Sequence, residues 1–85
     1  MSKQYIKEES GSKLYYKDPE MTILHRTDGP AIEFINGQKE WYVNDRIHRL
    51  DGPAIEYPGG IRMWFIDNSF IFEVNKSGKI IDRMQ

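Results

Sequence analysis

The sequence predicts an all-β protein: an antiparallel β-meander built from tandem 23-residue hairpin repeats, with degenerate capping hairpins at both ends. Three observations lead to this prediction. Residues 25–47 are followed directly by a second copy of the same unit, residues 48–70. Apolar and polar residues alternate with a period of two inside each copy, as they do in half-buried strands. No stretch of the chain shows the period of an amphipathic helix.

Each copy opens with the string His-Arg-x-Asp-Gly-Pro-Ala-Ile-Glu, and the two copies align without a gap. Ten positions are identical: His25/His48, Arg26/Arg49, Asp28/Asp51, Gly29/Gly52, Pro30/Pro53, Ala31/Ala54, Ile32/Ile55, Glu33/Glu56, Gly37/Gly60 and Trp41/Trp64. A residue that recurs in register more often serves the construction of the repeat than a single active centre. We therefore expect function at positions where the copies differ: Thr27 against Leu50, Ile35-Asn36 against Pro58-Gly59, Glu40 against Met63 and Arg46 against Ser69.

Eighty-five residues make one small domain, spanning residues 1–85. A chain of this size buries only about 60 to 65 per cent of its unfolded surface, so a partner or a second copy would add stability. The absence of cysteine excludes disulfides and thiolate metal sites and is compatible with a reducing cytoplasm. The N-terminal stretch has no apolar secretory region, and the longest apolar run, Met63-Trp64-Phe65-Ile66, is too short to cross a bilayer. We expect a soluble cytoplasmic protein with no membrane partner.

Twelve lysines and arginines against thirteen acidic residues give a formal net charge of -1. No global basic field therefore marks the chain as a nucleic-acid binder, although a local basic face remains open. Residues 71–85 have a small excess of cations that is too slight to argue from: Lys76, Lys79 and Arg83 against Glu73 and Asp82.

Each copy is interpreted as one hairpin followed by a return strand. In the first copy residues 31–35 lead into Asn36-Gly37 and then into residues 38–43. Asn-Gly between apolar runs indicates a two-residue hairpin turn, in which both residues accept positive φ. Asn44-Asp45 and Asp67-Asn68 indicate a second turn in each unit, because both residue types tolerate the left-handed region.

The Asp-Gly-Pro element forms a rigid corner, where one hairpin ends and the next begins. Asp can close an Asx turn, Gly supplies permissive φ, and Pro fixes φ while lacking an N–H. The structural turn residues are Asp28, Gly29, Pro30, Asp51, Gly52 and Pro53. Arg26 and Arg49 lie two residues before the aspartates, so a local Arg–carboxylate pair could brace each corner. Such exposed pairs contribute only about 0 to 1 kcal/mol.

Degenerate copies flank the two good ones, as atypical terminal units cap stacked arrays. In the N-terminal hairpin, residues 1–24, the stretch 11–16 matches the stretch 37–42 in spacing, with an insertion around residues 17–20. Tyr15 is then the degenerate equivalent of the repeated tryptophan.

The C-terminal capping hairpin spans residues 71–85 and lacks the Asp-Gly-Pro element. Its stretch Phe72-Glu73-Val74 resembles Ile32-Glu33-Phe34, and a turn follows in both places. With the two full repeats between the capping hairpins, the domain should contain about seven or eight short strands.

His25 and His48 are the only histidines, and with Asp28 and Asp51 they invite a general-base or a metal-binding interpretation. Identical positions on consecutive hairpins instead indicate a ladder along one sheet edge, so the structural interpretation is favoured. No serine lies in a nucleophile elbow, and residues 58–60 lack the helix and the lysine that a phosphate loop requires. We expect no catalysis, no cofactor and no metal.

Trp41 and Trp64 could be stacking platforms for bases, with nearby cations that neutralise phosphates. The candidate RNA-binding or protein-binding residues are Lys39, Arg46, Arg49, Arg62, Trp41 and Trp64. A repeated tryptophan is more often simply part of the core, and arginines usually lie on a solvated face. Both interpretations stay open at the level of sequence.

Alternation also puts apolar residues on both faces of the predicted sheet. Trp64 and Ile66 share one face, while Met63 and Phe65 lie on the other. A lone sheet with two partly apolar faces needs a cover on one of them. The terminal segments, a second protomer or a target protein could supply it.

The string His-Arg-x-Asp-Gly-Pro-Ala, followed by a strand, a glycine turn and Trp-Tyr or Trp-Phe, resembles a short hairpin repeat of small bacteriophage proteins and some giant-virus proteins. That repeat is itself loosely similar to the MORN repeat. The resemblance covers residues 24–70, a little over half of the chain. It is fairly specific for the fold and poor for activity, since such repeats are interaction scaffolds.

In length and repeat content the chain looks like the phage inhibitors of ToxN-like endoribonucleases, the toxins of type III toxin–antitoxin systems. This resemblance implies a non-enzymatic, antitoxin-like anti-defence protein of the host cytoplasm. It would bind and inhibit a host endoribonuclease toxin, with RNA in the complex. The near-neutral charge then requires that the RNA-binding cations be segregated on one face.

Two other functions stay open. A structural or assembly β-repeat protein would self-associate, for example as a homodimer through exposed β edges, or would scaffold another phage or host protein. A small hydrolase or nuclease would use His25 and His48 with their acidic neighbours.

Overall fold

A computed structural model describes residues 4–81, and all of the regular structure in this range is β. The strands are β1 Tyr5–Glu9, β2 Ser12–Tyr16, β3 Ile32–Glu33, β4 Lys39–Glu40, β5 Tyr42–Val43, β6 Arg46–Ile47, β7 Ile55–Glu56, β8 Arg62–Ile66, β9 Ser69–Val74 and β10 Ile80–Ile81. Eight of them form one antiparallel sheet in the order β1-β2-β3-β4-β7-β8-β9-β10, and β5 with β6 forms a separate two-stranded hairpin. The predicted all-β antiparallel meander is confirmed. Residues 4–81 include no helix of the length and apolar character needed to span a membrane.

The two copies of the repeat have the same backbone pairing. Ala31 N–H donates to the Glu40 carbonyl at 2.8 Å. Ala54 N–H, 23 residues later, donates to the Met63 carbonyl at the same distance of 2.8 Å. Both alanines have no exposed surface, so only a methyl group is accommodated at each position. The duplication of sequence is therefore a duplication of structure.

The turn predicted at Asn44-Asp45 and its copy at Asp67-Asn68 are confirmed. The φ angles are +51° and +68° at the first pair and +50° and +75° at the second. Asn and Asp enter this left-handed region more readily than other residues with a Cβ. Ser10-Gly11 makes the same kind of turn between β1 and β2, with φ of +51° and +85°. Such two-residue loops match the twist of the strands that they join.

The two-residue turn predicted at Asn36-Gly37 is wrong. Of these two residues only Gly37 has positive φ, at +95°. The loop is closed by Gly37 N–H, which donates to the Phe34 carbonyl, and by Phe34 N–H, which donates to the Gln38 carbonyl, both at 2.9 Å. This is a three-residue loop in which a type I turn is followed by a left-handed glycine. Only the glycine is conformationally required, which is why the second copy accepts Pro58-Gly59 before Gly60.

The corner glycines, Gly29 and Gly52, supply space and not permissive φ. Neither has positive φ, so the reason predicted for them is wrong. A Cβ on Gly29 would lie 2.9 Å from Cζ of Arg26, and one on Gly52 would lie 2.8 Å from Cζ of Arg49. The two glycines therefore let each guanidinium lie directly against the corner backbone.

Strand pairing places opposite charges beside each other across six strands. Residues directly opposite in an antiparallel pair share a face of the sheet. The resulting row alternates in sign: Glu8, Lys13, Glu33, Lys39, Glu56 and Arg62. Opposite-charge neighbours contribute roughly 0.2 to 1 kcal/mol per pair, and a slip of one residue would separate all of them. We call this set the charged row.

The opposite face of the sheet is mostly apolar. Its row is Leu14, Ile32, Glu40, Ile55, Met63 and Glu73. Ile32 and Ile55 are only 8% and 9% exposed. The buried residues of the described chain are few: Tyr15, Ala31, Ile32, Ala54, Ile55, Val74 and Glu73. So small a core makes local bonding within and between repeats important for stability.

The N-terminal hairpin contains the predicted degenerate copy. Tyr15 takes the place of Trp41, since its carbonyl accepts from His25 N–H at 3.0 Å, as the Trp41 carbonyl accepts from His48 N–H at 3.0 Å. The predicted insertion forms a loop that is closed by the carboxylate of Asp18. Spacing alone was sufficient to identify this unit.

The alignment predicted for the C-terminal hairpin is wrong by one residue. Asn75 N–H closes the last loop in the way that Phe34 N–H closes the first, so Asn75 and not Val74 corresponds to Phe34. The corner is absent here, and β9 continues as one strand through the position at which the earlier units turn, with a register shift opposite Trp64 and Phe65. Without the corner no residue pattern marks the register. Residues 82–85 of this predicted hairpin lie outside the described residues.

Candidate functional site

Each corner is held by an arginine that lies on an aromatic ring. At the first corner the Arg26 guanidinium lies 3.9 Å from the ring centroid of Tyr15. Its Nε donates to Asp28 at 3.0 Å, and one terminal nitrogen donates to the Pro30 carbonyl at 3.1 Å and to Glu33 at 3.2 Å. The side chain is only 18% exposed. The cation is therefore engaged within the corner.

The second corner repeats this arrangement. The Arg49 guanidinium lies 3.9 Å from the ring of Trp41. It donates to Asp51 at 3.1 Å, to the Pro53 carbonyl at 3.0 Å and to Glu56 at 3.2 Å. The predicted Arg–Asp pair is thus present at both corners, together with a second carboxylate and a ring that the sequence did not assign.

Three of the six candidate binding residues take part in ring contacts inside the fold. Arg49 and Trp41 contact each other, and Trp64 stacks on Phe72 with ring centroids 4.6 Å apart. Phe72 follows Trp64 at the same spacing at which Arg49 follows Trp41. A phenyl ring therefore replaces the cation in the last unit. One face of each tryptophan is therefore covered from within the chain.

The other three candidates, Lys39, Arg46 and Arg62, are not engaged with a ring of the described chain, and Lys39 and Arg46 are exposed. A terminal nitrogen of Arg46 contacts both carboxylate oxygens of Asp67 at 3.1 Å, and the Arg46 side chain is 59% exposed. Lys39 and Arg62 are neighbours in the charged row, one on each side of Glu56. Within residues 4–81 neither of them belongs to an ion pair. Lys39 and Arg62 are thus the two candidates best placed to meet an external anion.

Both histidines bind the backbone of the following turn. Nδ1 of His25 accepts from Asn44 N–H at 3.0 Å, and Nδ1 of His48 accepts from Asp67 N–H at 2.8 Å. Burial, followed by the Lys17 charge, lowers the pKa of His25. A lower pKa favours the neutral ring, whose Nδ1 can accept a hydrogen bond. In each copy the histidine therefore connects a corner to the next turn.

The acidic neighbours of the histidines are engaged as well. Asp28 and Asp51 lie 3.0 and 3.1 Å from their own arginines. Hydrogen bonds from Arg26, and then from the Gln4 amide, lower the pKa of the Asp28 carboxyl. In the described part of the chain, no group of three or more His, Cys, Asp or Glu side chains is arranged to hold a metal ion.

Consecutive turns are bonded to each other along the array. Asp45 N–H donates to the Leu24 carbonyl at 2.7 Å, and Asn68 N–H donates to the Ile47 carbonyl at 2.8 Å. The side chains of Asp45 and Asn68 accept in return from the N–H groups of Leu24 and Ile47, both at 3.2 Å. Each unit therefore fixes the position of the next.

Glu40, one of the positions at which the copies differ, is used inside the fold. It accepts from the Gln38 amide at 2.8 Å and from the Tyr42 hydroxyl at 3.0 Å. Burial, and then the Glu40 charge, raises the pKa of Tyr42 to about 12. The expectation that the scaffold leaves Glu40 free is therefore wrong.

Two other variable positions expose large apolar side chains. Ile35 is 74% exposed and Leu50 is 76% exposed. Ile35 belongs to the loop between β3 and β4, at one end of the sheet. Leu50 belongs to the second corner, at the other end, where the first copy has Thr27. The scaffold therefore leaves the side chains at these two variable positions accessible.

A groove of about 400 Å³ lies between the two corners, and we call it the corner groove. Its lining residues come from both corners and from the strand between them: Arg26, Thr27, Asp28, Gly29, Trp41, Val43, His48, Arg49, Leu50 and Asp51. A second depression of about 420 Å³ lies beside it, lined by Val43, Asn44, Arg46, His48 and Asp67. The sequence did not predict the corner groove, although Thr27 and Leu50, a position at which the two copies differ, both line it.

The corner groove and the charged row both leave side chains exposed after the repeat has formed its own contacts. Asp28 and Asp51 are 71% and 88% exposed, and Leu50, which directly precedes Asp51 and lines the same groove, is 76% exposed. These residues carry the functional argument. No protein-family model, no curated protein and no solved structure matches this chain.

Proposed function

We propose that the chain is a non-enzymatic phage protein that binds a host endoribonuclease toxin of the type III toxin–antitoxin class in the host cytoplasm and inhibits it, with RNA in the complex. One observation carries the non-enzymatic part. The histidines and aspartates that could serve nuclease chemistry bond instead to backbone N–H groups and to arginines of the same chain. The resemblance of the repeat to phage interaction scaffolds motivates the choice of partner.

A rigid sheet is suited to inhibition by binding alone. The described chain extends 41 Å along its longest axis, and hydrogen bonds tie each turn to the next unit. A preformed surface loses little conformational entropy when a partner binds. Such a sheet, placed over the surface with which a toxin holds RNA, would exclude substrate without any chemical step.

RNA would take part through few cations. Lys39 and Arg62 lie on the same face, but Glu56 between them weakens the attraction for phosphate. RNA affinity falls as salt rises, and for single strands each neutralised phosphate adds about 0.7 to the steepness of log affinity against log salt. Two contacts therefore give a slope of about -1.4. Weak RNA binding of this kind agrees with the net charge of -1 and assigns RNA a supporting part beside the toxin.

Capture of purified toxin on the tagged protein, with and without ribonuclease treatment, tests the proposal. The toxin should be recovered, and its recovery should fall after ribonuclease treatment. Replacement of Lys39 and Arg62 by Gln should reduce the RNA-dependent share. Replacement of Lys76 and Lys79 by Gln removes the same charge from an exposed turn and should not. Recovery of toxin under neither condition contradicts the proposal.

A second candidate, an assembly protein that self-associates, is favoured by one observation. Ile66, Phe70 and Ile71 are 43%, 40% and 49% exposed at the last hairpin. The residues at the same positions one repeat earlier are half-buried, because the next hairpin follows them in the array; they are Val43, Ile47 and His48. Sedimentation at high protein concentration separates the candidates: an assembly protein forms dimers or larger species, and a strictly monomeric chain excludes this function.

A further inference from the structure

The walls of the corner groove are preformed. At each corner a guanidinium is held by a ring, two carboxylates and a backbone carbonyl, and a proline fixes the chain beside it. The bonds from the histidines to the following turns connect each corner to the next turn of the array. A groove with rigid walls can select a partner by shape and charge, because little entropy is lost on binding.

The charge exposed along this groove is negative. The two guanidinium groups are turned toward the sheet, and their side chains are only 18% and 22% exposed. They are matched by four carboxylates, those of Asp28, Glu33, Asp51 and Glu56. Of the charged side chains that line the groove, the two arginines are largely covered, whereas Asp28 and Asp51 are 71% and 88% exposed, so the accessible charge at the rim is that of the two carboxylates. A phosphate backbone is repelled by such a rim, whereas a basic segment is attracted.

An apolar contact point lies in the same groove. Leu50 is 76% exposed and lines the groove together with the half-buried Trp41 and Val43. The first copy of the repeat has Thr27 at the position of Leu50, so the construction of the corner does not require a leucine there. An apolar side chain that shares a groove with exposed carboxylates suits a partner segment with an apolar residue and cations near it, since interfaces combine an apolar centre with a polar rim.

We propose that the corner groove is the docking site for a basic segment of the toxin. One apolar side chain of that segment contacts Leu50, and lysine or arginine side chains on both sides of it pair with Asp28 and Asp51. This inference rests on the proposed function and deepens it. A ribonuclease holds a polyanion and therefore presents basic segments where its substrate binds, so a carboxylate-rimmed groove would occupy the surface that RNA needs.

The test is the affinity of purified toxin for wild type and for three variants. It is measured with or without RNA, whichever condition lets wild type bind the toxin. Leu50→Thr installs the residue of the first copy at an exposed site and should weaken toxin binding about tenfold. Asp28→Asn with Asp51→Asn should also weaken it and should reduce its dependence on salt. Ile35→Thr removes an equally exposed apolar side chain at the other end of the sheet and should leave affinity unchanged.

The outcomes separate this inference from the function on which it rests. If wild type does not bind the toxin, the proposed function and the docking site both fail. If wild type binds and Leu50→Thr binds equally well, the groove is not the docking site and the proposed function stands. Two further results would also overturn the inference: a loss of RNA binding by Leu50→Thr without toxin assigns the groove to RNA, and a change in its sedimentation assigns the groove to a second copy.

Discussion

Two kinds of glycine in the loops of this protein differ in the space around an added Cβ atom. At Gly52 it would lie 2.8 Å from Cζ of Arg49, whereas at Gly59 no heavy atom lies within 4 Å. Neither glycine has positive φ, so neither is needed for its backbone conformation. The pair therefore separates the requirement for space from the requirement for conformational freedom.

Gly52→Ala should lower the free energy of unfolding by about 1 to 3 kcal/mol, the usual range for overpacking. The added methyl group forces the Arg49 guanidinium away from Trp41 and from its carboxylates. Gly59→Ala, the matched control, should change stability by less than about 1 kcal/mol. Urea unfolding of both variants measures the difference. Equal midpoints would show that the guanidinium moves aside at no cost.

His25 should make stability fall in mildly acidic solution. Its pKa is lowered from the ordinary value of 6.5 in the folded protein, so the unfolded chain binds the proton more tightly. The stability that neutral His25 contributes to the folded protein is therefore complete above about pH 6.5 and is lost as the pH falls below that value. His25→Asn retains an acceptor near Asn44 N–H and does not titrate. Thermal midpoints between about pH 8 and pH 5 should fall more for wild type than for this variant, and parallel curves would contradict the assignment.

At the scale of the element, the last unit shows what replaces a corner. β9 continues as one strand where the earlier units turn, and Phe72 follows Trp64 at the same spacing at which Arg49 follows Trp41. The contact with the tryptophan survives the exchange, because Phe72 stacks on Trp64 at 4.6 Å with the planes 20° apart. A phenyl ring requires no carboxylate partners, so the acidic corner can be omitted with the arginine.

Phe72→Ala should lower the free energy of unfolding by roughly 2 kcal/mol, less than the value for a fully buried phenylalanine because the site is half-exposed. Phe70→Ala serves as the control, since Phe70 is 40% exposed and meets Phe65 only at its edge. Its cost should be about half as large. Guanidinium unfolding checks both variants. A larger loss from Phe70→Ala would mean that the ring pair with Trp64 does not hold the last unit.

Elements marked by residues with strong local preferences could be predicted from sequence. Asn44-Asp45 and its copy were recognised because few residues accept positive φ. Tyr15 was recognised by its spacing from Gly11, which matches the spacing of Trp41 from Gly37. In both cases the signal lies within a few residues of the element, where local rules apply.

Features that depend on pairing between distant residues could not be predicted. The Asn36-Gly37 loop differs from the expected turn by one residue, and only the partner strand decides between the two forms. The charged row appears only when the register of six strands is known. The shift at Asn75 follows from a missing corner, which leaves no residue to count from.

The site was predicted in parts but not as an arrangement. Arg49 and Trp41 were proposed as separate ligands for RNA, yet in the structure they lie on each other. Cation–π contacts join residues that are close in space and several positions apart in sequence, so alternation does not reveal them. Leu50 was identified by its difference from Thr27, while the groove around it requires both corners in place.

At the scale of the whole molecule, stability is distributed along the charged row and the bonded turns more than in a large core. Lys39 lies between Glu33 and Glu56 on adjacent strands. Each opposite-charge neighbour contributes little, and together they disfavour a slipped sheet. The row therefore supports both the register and the near-zero charge of this face.

Lys39→Glu should lower the free energy of unfolding by about 1 kcal/mol or more, because it replaces two favourable cross-strand neighbours with two repulsive ones. About 1 M salt should recover part of the loss, since the row is solvent-accessible. Lys76→Glu makes the same charge change in an exposed turn and should have little effect. Urea unfolding at low and high salt measures both variants. Equal costs would show that the row does not stabilise the sheet.

We expect this repeat array to inhibit a nuclease by binding and to have no nuclease activity of its own. The most direct measurement is cleavage of RNA by a purified type III endoribonuclease toxin, titrated with wild type and with His25→Asn combined with His48→Asn. Both proteins should suppress cleavage to the same extent near equimolar ratio, and neither should cleave RNA alone. The account is contradicted if wild type leaves toxin activity unchanged, or if it cleaves RNA and the histidine variant does not.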